Sequence, residues 1–139
     1  MSQAPQSSAK PRLTAGLTGV ATREVTEADT AIALGSGDVS VFATPALASL
    51  MEAAAVAALR DVLDEGQTTV GVQLEIQHLA ATPVGMTVRA EARLMAVEGR
   101  RLSFRVSAAD ATEQIGVGTH QRVIVDRARF MHRTLAKQP

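Results

Sequence analysis

The chain lacks cysteine, tryptophan and tyrosine, and its 139 residues include only three phenylalanines. Without cysteine it has no disulfides, no thiolate metal ligands and no thiol nucleophile. The shortage of aromatic rings argues against a surface on which nucleic acid bases stack. Basic and acidic residues number 14 each. This balance gives no general reason to expect nucleic acid or an anionic membrane as a partner.

Long apolar runs are also missing. No run approaches the roughly 20 residues that cross a bilayer, and the opening residues MSQAPQSSAKPR lack the apolar stretch of a secretory signal. We therefore expect a cytoplasmic protein, which the absence of cysteine also fits. We interpret residues 1–13 as a disordered tail, residues 14–130 as one folded domain and residues 131–139 as a basic C-terminal tail.

One segment has a clear helical pattern. The run ALASLMEAAAVAALRDVLDE is dense in strong helix formers. Thr44 can cap this helix, Pro45 suits its first turn, and Gly66 suits its end. Because the helix is apolar almost all round as far as Leu59, we expect it to be buried.

Five segments have the properties of β-strands, with a loop expected over residues 26–40. Residues 16–25 contain many β-branched residues. Four segments after the helix, at 69–78, 86–94, 102–108 and 115–125, alternate apolar and polar residues with a period of two. In the last segment the residues assigned to the apolar side are Ile115, Val117, Val123 and Val125.

The order of these elements predicts the fold class. Short connections between the later strands imply antiparallel pairing by hairpins. A single antiparallel sheet with one apolar face needs a cover, and the long helix is the only candidate. The prediction is an α+β hot-dog fold, in which an antiparallel β-sheet wraps around one long central helix.

Two polar residues interrupt apolar patterns. Glu52 is the only ionisable residue in the apolar part of the helix, where it is either a functional carboxylate or a residue on a narrow exposed stripe. His78 continues the apolar side of its strand and is either a functional base or a core histidine bonded to the backbone. His120, on the polar side of the last strand, and His132, in the tail, are weaker candidates.

Thr44 and Gly71 mark two further positions. A threonine before proline is ordinary capping, but a helix N-terminus also offers free N–H groups and partial positive charge to an oxyanion. A glycine inside a strand indicates either a β-bulge or close approach of a ligand to the backbone. The histidines lack metal-ligand spacing and there is no phosphate-binding loop, so we expect neither a metal nor a nucleotide fold.

Four runs in order along the chain carry a family resemblance: VFATPALASLMEAAA, TTVGVQLEIQHLAATPVGMTV, VEGRRLSFRVSAAD and IGVGTHQRV. They resemble the fluoroacetyl-CoA thioesterase family of hot-dog enzymes over nearly all of residues 14–130. The resemblance implies hydrolysis of an acyl-CoA to a free acid and CoA. It also implies a homodimer with active sites near the subunit interface, and no cofactor beyond the CoA of the substrate.

The resemblance further implies roles for particular residues. The family's catalytic threonine, glutamate and histidine fall on Thr44, Glu52 and His78. The glycine whose backbone N–H contacts the acyl carbonyl falls on Gly71, and a functional arginine falls on Arg122.

One departure from the family pattern concerns specificity. Asp38, in the run ALGSGDVSVF, stands where the family has a gating phenylalanine. The segment before it is also poor in aromatic residues. We therefore expect the hydrolytic residues to be kept and the aromatic gate to be lost.

Two other functions remain compatible with a hot-dog fold. An acyl-CoA hydratase would use a histidine and an acidic residue on an enoyl substrate, but His78 has no Asp nearby in sequence to complete the usual hydratase motif. A non-catalytic protein would bind an acyl-CoA or an acyl carrier. Thiol release measured against loss of the enoyl absorbance separates these functions from a thioesterase.

Overall fold

The structure, a computed structural model, describes residues 11–139 and contains one antiparallel sheet of five strands. The strands lie in the order β1-β3-β4-β5-β2. Most of the predicted N-terminal tail lies outside the described residues, although Leu13 packs against the core. The strands are β1 (Thr18–Glu24), β2 (Gln67–His78), β3 (Thr87–Glu98), β4 (Arg101–Ala109) and β5 (Gln114–Asp126).

Only part of the sheet is built from hairpins. β3 pairs with β4 and β4 with β5, as predicted. β2 and β3 follow one another in the chain but do not pair, because both sides of β3 are occupied by β1 and β4. β2 pairs with β5 instead, which leaves β2 at one edge of the sheet. The prediction of hairpins between all four later strands was therefore wrong for β2.

The helices are α1 (Ala31–Leu34), α2 (Thr44–Ala58) and α3 (Arg127–Leu135). A short 3-10 turn over Glu27–Asp29 precedes α1 in the segment predicted to be loop. α3 begins within the predicted domain and continues into the predicted basic tail, and none of its residues is buried. Within residues 11–139 no helix is long and apolar enough to cross a membrane.

Both predicted ends of the long helix need correction. The residue that precedes the first turn of α2 is Ala43, and no side chain caps this end, so Thr44 is not the cap. The helix ends at Ala58 rather than near Gly66. Asp61, with a φ of 66°, turns the chain away, and Gly66, with a φ of 85°, leads into β2.

The core lies between α2 and the inward face of the sheet. Leu47, Met51 and Ala54 of α2 are fully buried. A Cβ at Gly19 would collide with the backbone of α2, which shows how closely β1 approaches the helix. The opposite side of α2 is open in the single chain, where Val56 is 50% exposed. The helix is therefore not buried all round, since the sheet covers only one side of it.

β5 turns a different side inward from the one that its apolar residues predict. Ile115 is fully buried, as expected, but Val117 and Val123 are half-exposed on the outer face. His120 and Arg122 point inward instead and are 1% and 7% exposed. Polar side chains can occupy this face because they bond to one another and to β2.

Candidate active site

Glu52 projects from the middle of α2 toward β5, where it meets Arg122. Oε2 of Glu52 lies 3.1 Å from Nη1 of Arg122. The other N–H groups of this guanidinium donate to Thr69, Nε to the hydroxyl at 2.9 Å and Nη2 to the carbonyl oxygen at 3.2 Å. Arg122 is therefore fixed by β2 as well as by its own strand, and it presents a positive charge to the carboxylate.

Gly71 leaves the space that Glu52 occupies. The pairing of β2 with β5 shifts register between Gly71 and Gln73, so the predicted bulge is present. A Cβ at Gly71 would collide with Oε2 of Glu52 and lie 3.2 Å from Nη1 of Arg122. The group that approaches the backbone of Gly71 in this structure is thus the side chain of Glu52.

His120 completes this group of contacts. Its Nδ1 lies 2.7 Å from the carbonyl oxygen of Gln73, and its Nε2 lies 3.1 Å from Nη1 of Arg122. Burial lowers the pKa of His120 below its ordinary value, and the charge of Arg122 acts in the same direction. We call Glu52, Thr69, Gly71, His120 and Arg122 the carboxylate cluster.

Thr44 and His78 form a separate hydrogen-bonded pair, which we call the threonine–histidine pair. The Oγ1 atom of Thr44 lies 2.8 Å from Nδ1 of His78. Nε2 of His78 is buried and has no hydrogen-bond partner among residues 11–139. Burial also lowers the pKa of His78, which favours the neutral imidazole. A neutral imidazole with one free nitrogen is suited to giving or accepting a proton.

The cluster and the pair lie far apart in a single chain. Thr44 and Glu52 are separated by about 12 Å along α2, at about 1.5 Å per residue. Gly71 and His78 are about 23 Å apart along β2, at about 3.3 Å per residue. No hydrogen bond or ion pair within the described part of the chain joins the two. The structure thus brings Glu52, Gly71 and Arg122 together, and places Thr44 with His78 elsewhere.

The threonine–histidine pair opens onto a cleft of about 440 Å³ beside the loop that follows α1. Asp38 is exposed and lines the same cleft. Residues 31–41 contain no aromatic side chain, and Phe42, which follows them, is fully buried. The described residues contain no group of three His, Asp or Glu side chains placed to hold a metal ion.

Comparison with known proteins identifies the family. The sequence profile of the fluoroacetyl-CoA-specific thioesterase family matches residues 25–128. The fluoroacetyl-CoA thioesterase of Streptantibioticus cattleyicolor is 44% identical over 99 residues, which are 71% of this chain and 71% of that protein. The chain belongs to the fluoroacetyl-CoA-specific thioesterase family. It is therefore a thioester hydrolase, as predicted from the sequence.

Two solved structures in the same comparison confirm the hot-dog fold. The fluoroacetyl-CoA thioesterase FlK superposes with a TM-score of 0.86 at 36% identity, over 91% of this chain and 98% of that one. A hypothetical protein of Thermus thermophilus, described as a thioesterase superfamily member, has a TM-score of 0.82 at 31% identity, over 91% and 95%. The curled sheet around α2 is the arrangement that these thioesterases share.

Sequence reasoning missed Thr69 of the carboxylate cluster and treated His120 only as a weaker candidate. A signal for His120 was present, since it shares one side of β5 with Gly116 and Gly118. A Cβ at either glycine would press against neighbouring atoms of β2 or α2, which shows that this side faces inward. Thr69 gave no comparable signal, because threonine is common in strands.

Proposed function

We propose that this thioesterase hydrolyses a small acyl-CoA to a free carboxylic acid and CoA. Water supplies the oxygen that the acyl carbon gains, the C–S bond breaks, and the sulfur leaves as the thiol of CoA. The observation that carries the proposal is the carboxylate of Glu52, held against Arg122 beside the glycine backbone of a strand. A cytoplasmic location fits a substrate that carries CoA, and no further cofactor is needed.

The enzyme is a homodimer in which each active site is shared by two subunits. β2 is an edge strand and offers unpaired backbone groups to a second copy. If β2 pairs antiparallel with the partner's β2 around a two-fold axis between Leu74 and Glu75, Gly71 lies opposite the partner subunit's His78. This pairing would bring the carboxylate cluster of one subunit to the threonine–histidine pair of the other.

Exposed apolar side chains near this edge support the pairing. Val56 on α2 is 50% exposed, and Val72 and Leu79, in and beyond β2, are 49% and 52% exposed. A second copy on β2 would cover apolar surface of this kind, which is favourable. It would also enclose the mouth of the site and keep bulk water from the thioester.

Glu52 supplies the carboxylate that acts on the thioester. It either attacks the carbonyl carbon to give a mixed anhydride or activates the water molecule that attacks. Arg122 balances the charge of the carboxylate and, through its bonds to Thr69, keeps it at one place. Because the guanidinium is anchored on β2, the carboxylate stays beside Gly71 while the substrate binds.

The other half of the site serves the oxygen and sulfur of the thioester. The uncapped N-terminus of α2 has free N–H groups that, with the N–H of Gly71 across the interface, donate to the developing oxyanion. Thr44 orients the imidazole of His78 through their hydrogen bond. Nε2 of His78 is then available to move a proton to or from the attacking water.

At the mouth of this site Asp38 takes the position at which the family has a gating phenylalanine. Its carboxylate lines the cleft that contains the threonine–histidine pair. An exposed charge there neither closes the cleft over a small acyl group nor favours an apolar one. We therefore infer an acyl group other than fluoroacetyl as the preferred substrate.

A thiol-release assay across short, branched and aromatic acyl-CoAs tests the proposal. We expect turnover of at least one short acyl-CoA, and a fall in kcat of about 10²–10³-fold for Glu52→Gln. Glu65→Gln, an exposed glutamate in the turn after α2, is the matched control and should behave as wild type. Binding of the whole panel without thiol release, or loss of enoyl absorbance in place of it, would contradict the proposal.

A further inference from the structure

His120 is a buried titratable side chain to which the reaction described above gives no part. It is 1% exposed and lies on the inward face of β5, opposite Phe104 of β4. The two ring centroids are 6.1 Å apart. Among residues 11–139 its charged neighbours are Arg122, on the same strand, and Glu52, on α2, whose Oε2 is 3.8 Å from Nε2 of the imidazole. β2 contributes the carbonyl group of Gln73.

The partners of the two ring nitrogens fix where the proton lies. A carbonyl oxygen only accepts, so Nδ1 must donate to Gln73 across 2.7 Å. A guanidinium only donates, so Nε2 must accept from Nη1 of Arg122 across 3.1 Å. His120 is therefore a neutral imidazole of defined tautomer. Burial lowers the pKa of His120, and this direction agrees with the geometry.

The imidazole of His120 contacts both features that hold the carboxylate of Glu52 in place, which are Arg122 and the irregular part of β2. Through Nε2 it holds Nη1 of Arg122, and that nitrogen also donates to Oε2 of Glu52. Through Nδ1 it holds the carbonyl group of Gln73, where the register of β2 shifts after Gly71. The space for Glu52 lies beside that irregularity, because a Cβ at Gly71 would collide with Oε2.

We propose that His120 is a positioning residue that sets the place of Glu52, by holding Arg122 with one nitrogen and the bulge of β2 with the other. The proposal rests on the function proposed above for Glu52. His120 touches neither the thioester nor the attacking water. It acts through the arginine and through the strand.

Two substitutions of His120 each remove one of its two hydrogen bonds and keep the other. His120→Asn retains an amide that can donate to the Gln73 carbonyl and removes the acceptor for Arg122. His120→Gln extends an amide oxygen toward Arg122 and leaves the Gln73 carbonyl without its donor. We expect each to lower kcat by about 10-fold to 10²-fold, because small displacements of a reacting group have effects of this size. KM should change little, since neither bond contacts CoA.

His132→Asn is the matched control. His132 lies on the exposed helix α3, and the same substitution there should leave kcat unchanged. Far-UV circular dichroism and thermal unfolding show whether the His120 variants remain folded. If His120→Asn fails to fold, His120→Gln carries the same test through the other bond.

A double-mutant cycle with Glu52→Gln distinguishes positioning from a merely structural role. If His120 acts through Glu52, the His120 substitutions should cost little further kcat once the carboxylate is gone. Losses that multiply, or a normal kcat for both single variants, would overturn the role of His120 and leave the function of Glu52 intact. Near-normal turnover by Glu52→Gln alone would overturn both proposals.

Discussion

The carboxylate cluster and the threonine–histidine pair differ in how firmly their side chains are held. In the cluster, the guanidinium of Arg122 donates to Thr69, to Glu52 and to His120. In the pair, His78 has one hydrogen bond to a side chain, and its Nε2 has no partner within residues 11–139. The carboxylate proposed to act on the thioester is surrounded by bonds, whereas the imidazole proposed to exchange protons keeps one nitrogen without such a bond.

Their positions along the sheet also differ in a way that bears on assembly. The cluster lies at the beginning of β2 and the pair at its end, and β2 is one of the two edge strands of the sheet. Antiparallel pairing of two such edges superposes the beginning of one strand on the end of the other. The separation of the two groups within one chain therefore favours an active site that two subunits share.

The comparison predicts that substitutions in the carboxylate cluster lower kcat more than substitutions in the threonine–histidine pair. The larger loss is expected from Gly71→Ala. Its Cβ would collide with Oε2 of Glu52 and lie 3.2 Å from Nη1 of Arg122, so the carboxylate must move away from its place beside the arginine. We expect kcat to fall by about 10²-fold, the size of effect that a displacement of about 1 Å produces. Steady-state thiol release measures the loss, and a normal kcat would contradict the tight placement of the carboxylate.

A smaller effect is expected in the loosely held pair. Thr44→Ala removes the side-chain hydrogen bond that orients His78, and one hydrogen bond of this kind is worth about 10-fold in rate. Thr44→Ser keeps the hydroxyl and should remain near wild type. Equal losses in the two variants would show that the methyl group, and not the hydroxyl, is what the site requires.

The smallest effect concerns the pH dependence of stability. The folded pKa of His120 lies below its unfolded value of 6.5, so the unfolded chain binds a proton that the folded chain refuses. The free energy of unfolding should therefore rise with pH between those two values, and stability should be lost as pH falls below about 6.5. Burial lowers the pKa of His78 too, so His78 adds to the same slope.

Urea unfolding between about pH 7.5 and about pH 5 measures this slope. His120→Asn should flatten it, whereas His132→Asn, on the exposed helix α3, should leave it as in wild type. Asp29 and Asp110 have lowered pKa values, so the stability they contribute is lost only at more acidic pH. An unchanged slope in His120→Asn would show that its imidazole is not held neutral.

The fold followed from sequence because its signals are local. The period-two segments after α2 became strands, and the run of helix formers became the helix at the centre of the sheet. The C-terminal end of α2 was misplaced because the chain turns at both Asp61 and Gly66. Helix propensities alone do not show at which of the two residues the helix stops. The pairing of β2 with β5 could not be read locally, since it depends on which sides of β3 are already taken.

The residues of the candidate site were only partly predictable from the sequence, for a related reason. Glu52 and His78 stood out as polar residues within apolar patterns, and the family resemblance added Thr44, Gly71 and Arg122. His120 was assigned to the wrong face of β5, because alternation assumes that the inward side is apolar. Here the inward side is polar, and its groups form hydrogen bonds with one another and with β2.

Subunit complementation tests the shared active site most directly. Glu52→Gln and His78→Ala are each expected to be nearly inactive as homodimers. When the two are unfolded together and refolded at equal concentration, about half of the dimers should be mixed, and each should contain one intact site. We expect the mixture to regain about a quarter of wild-type kcat. Continued inactivity, in a mixture shown by mass spectrometry to contain the mixed dimer, would contradict a site built from two subunits.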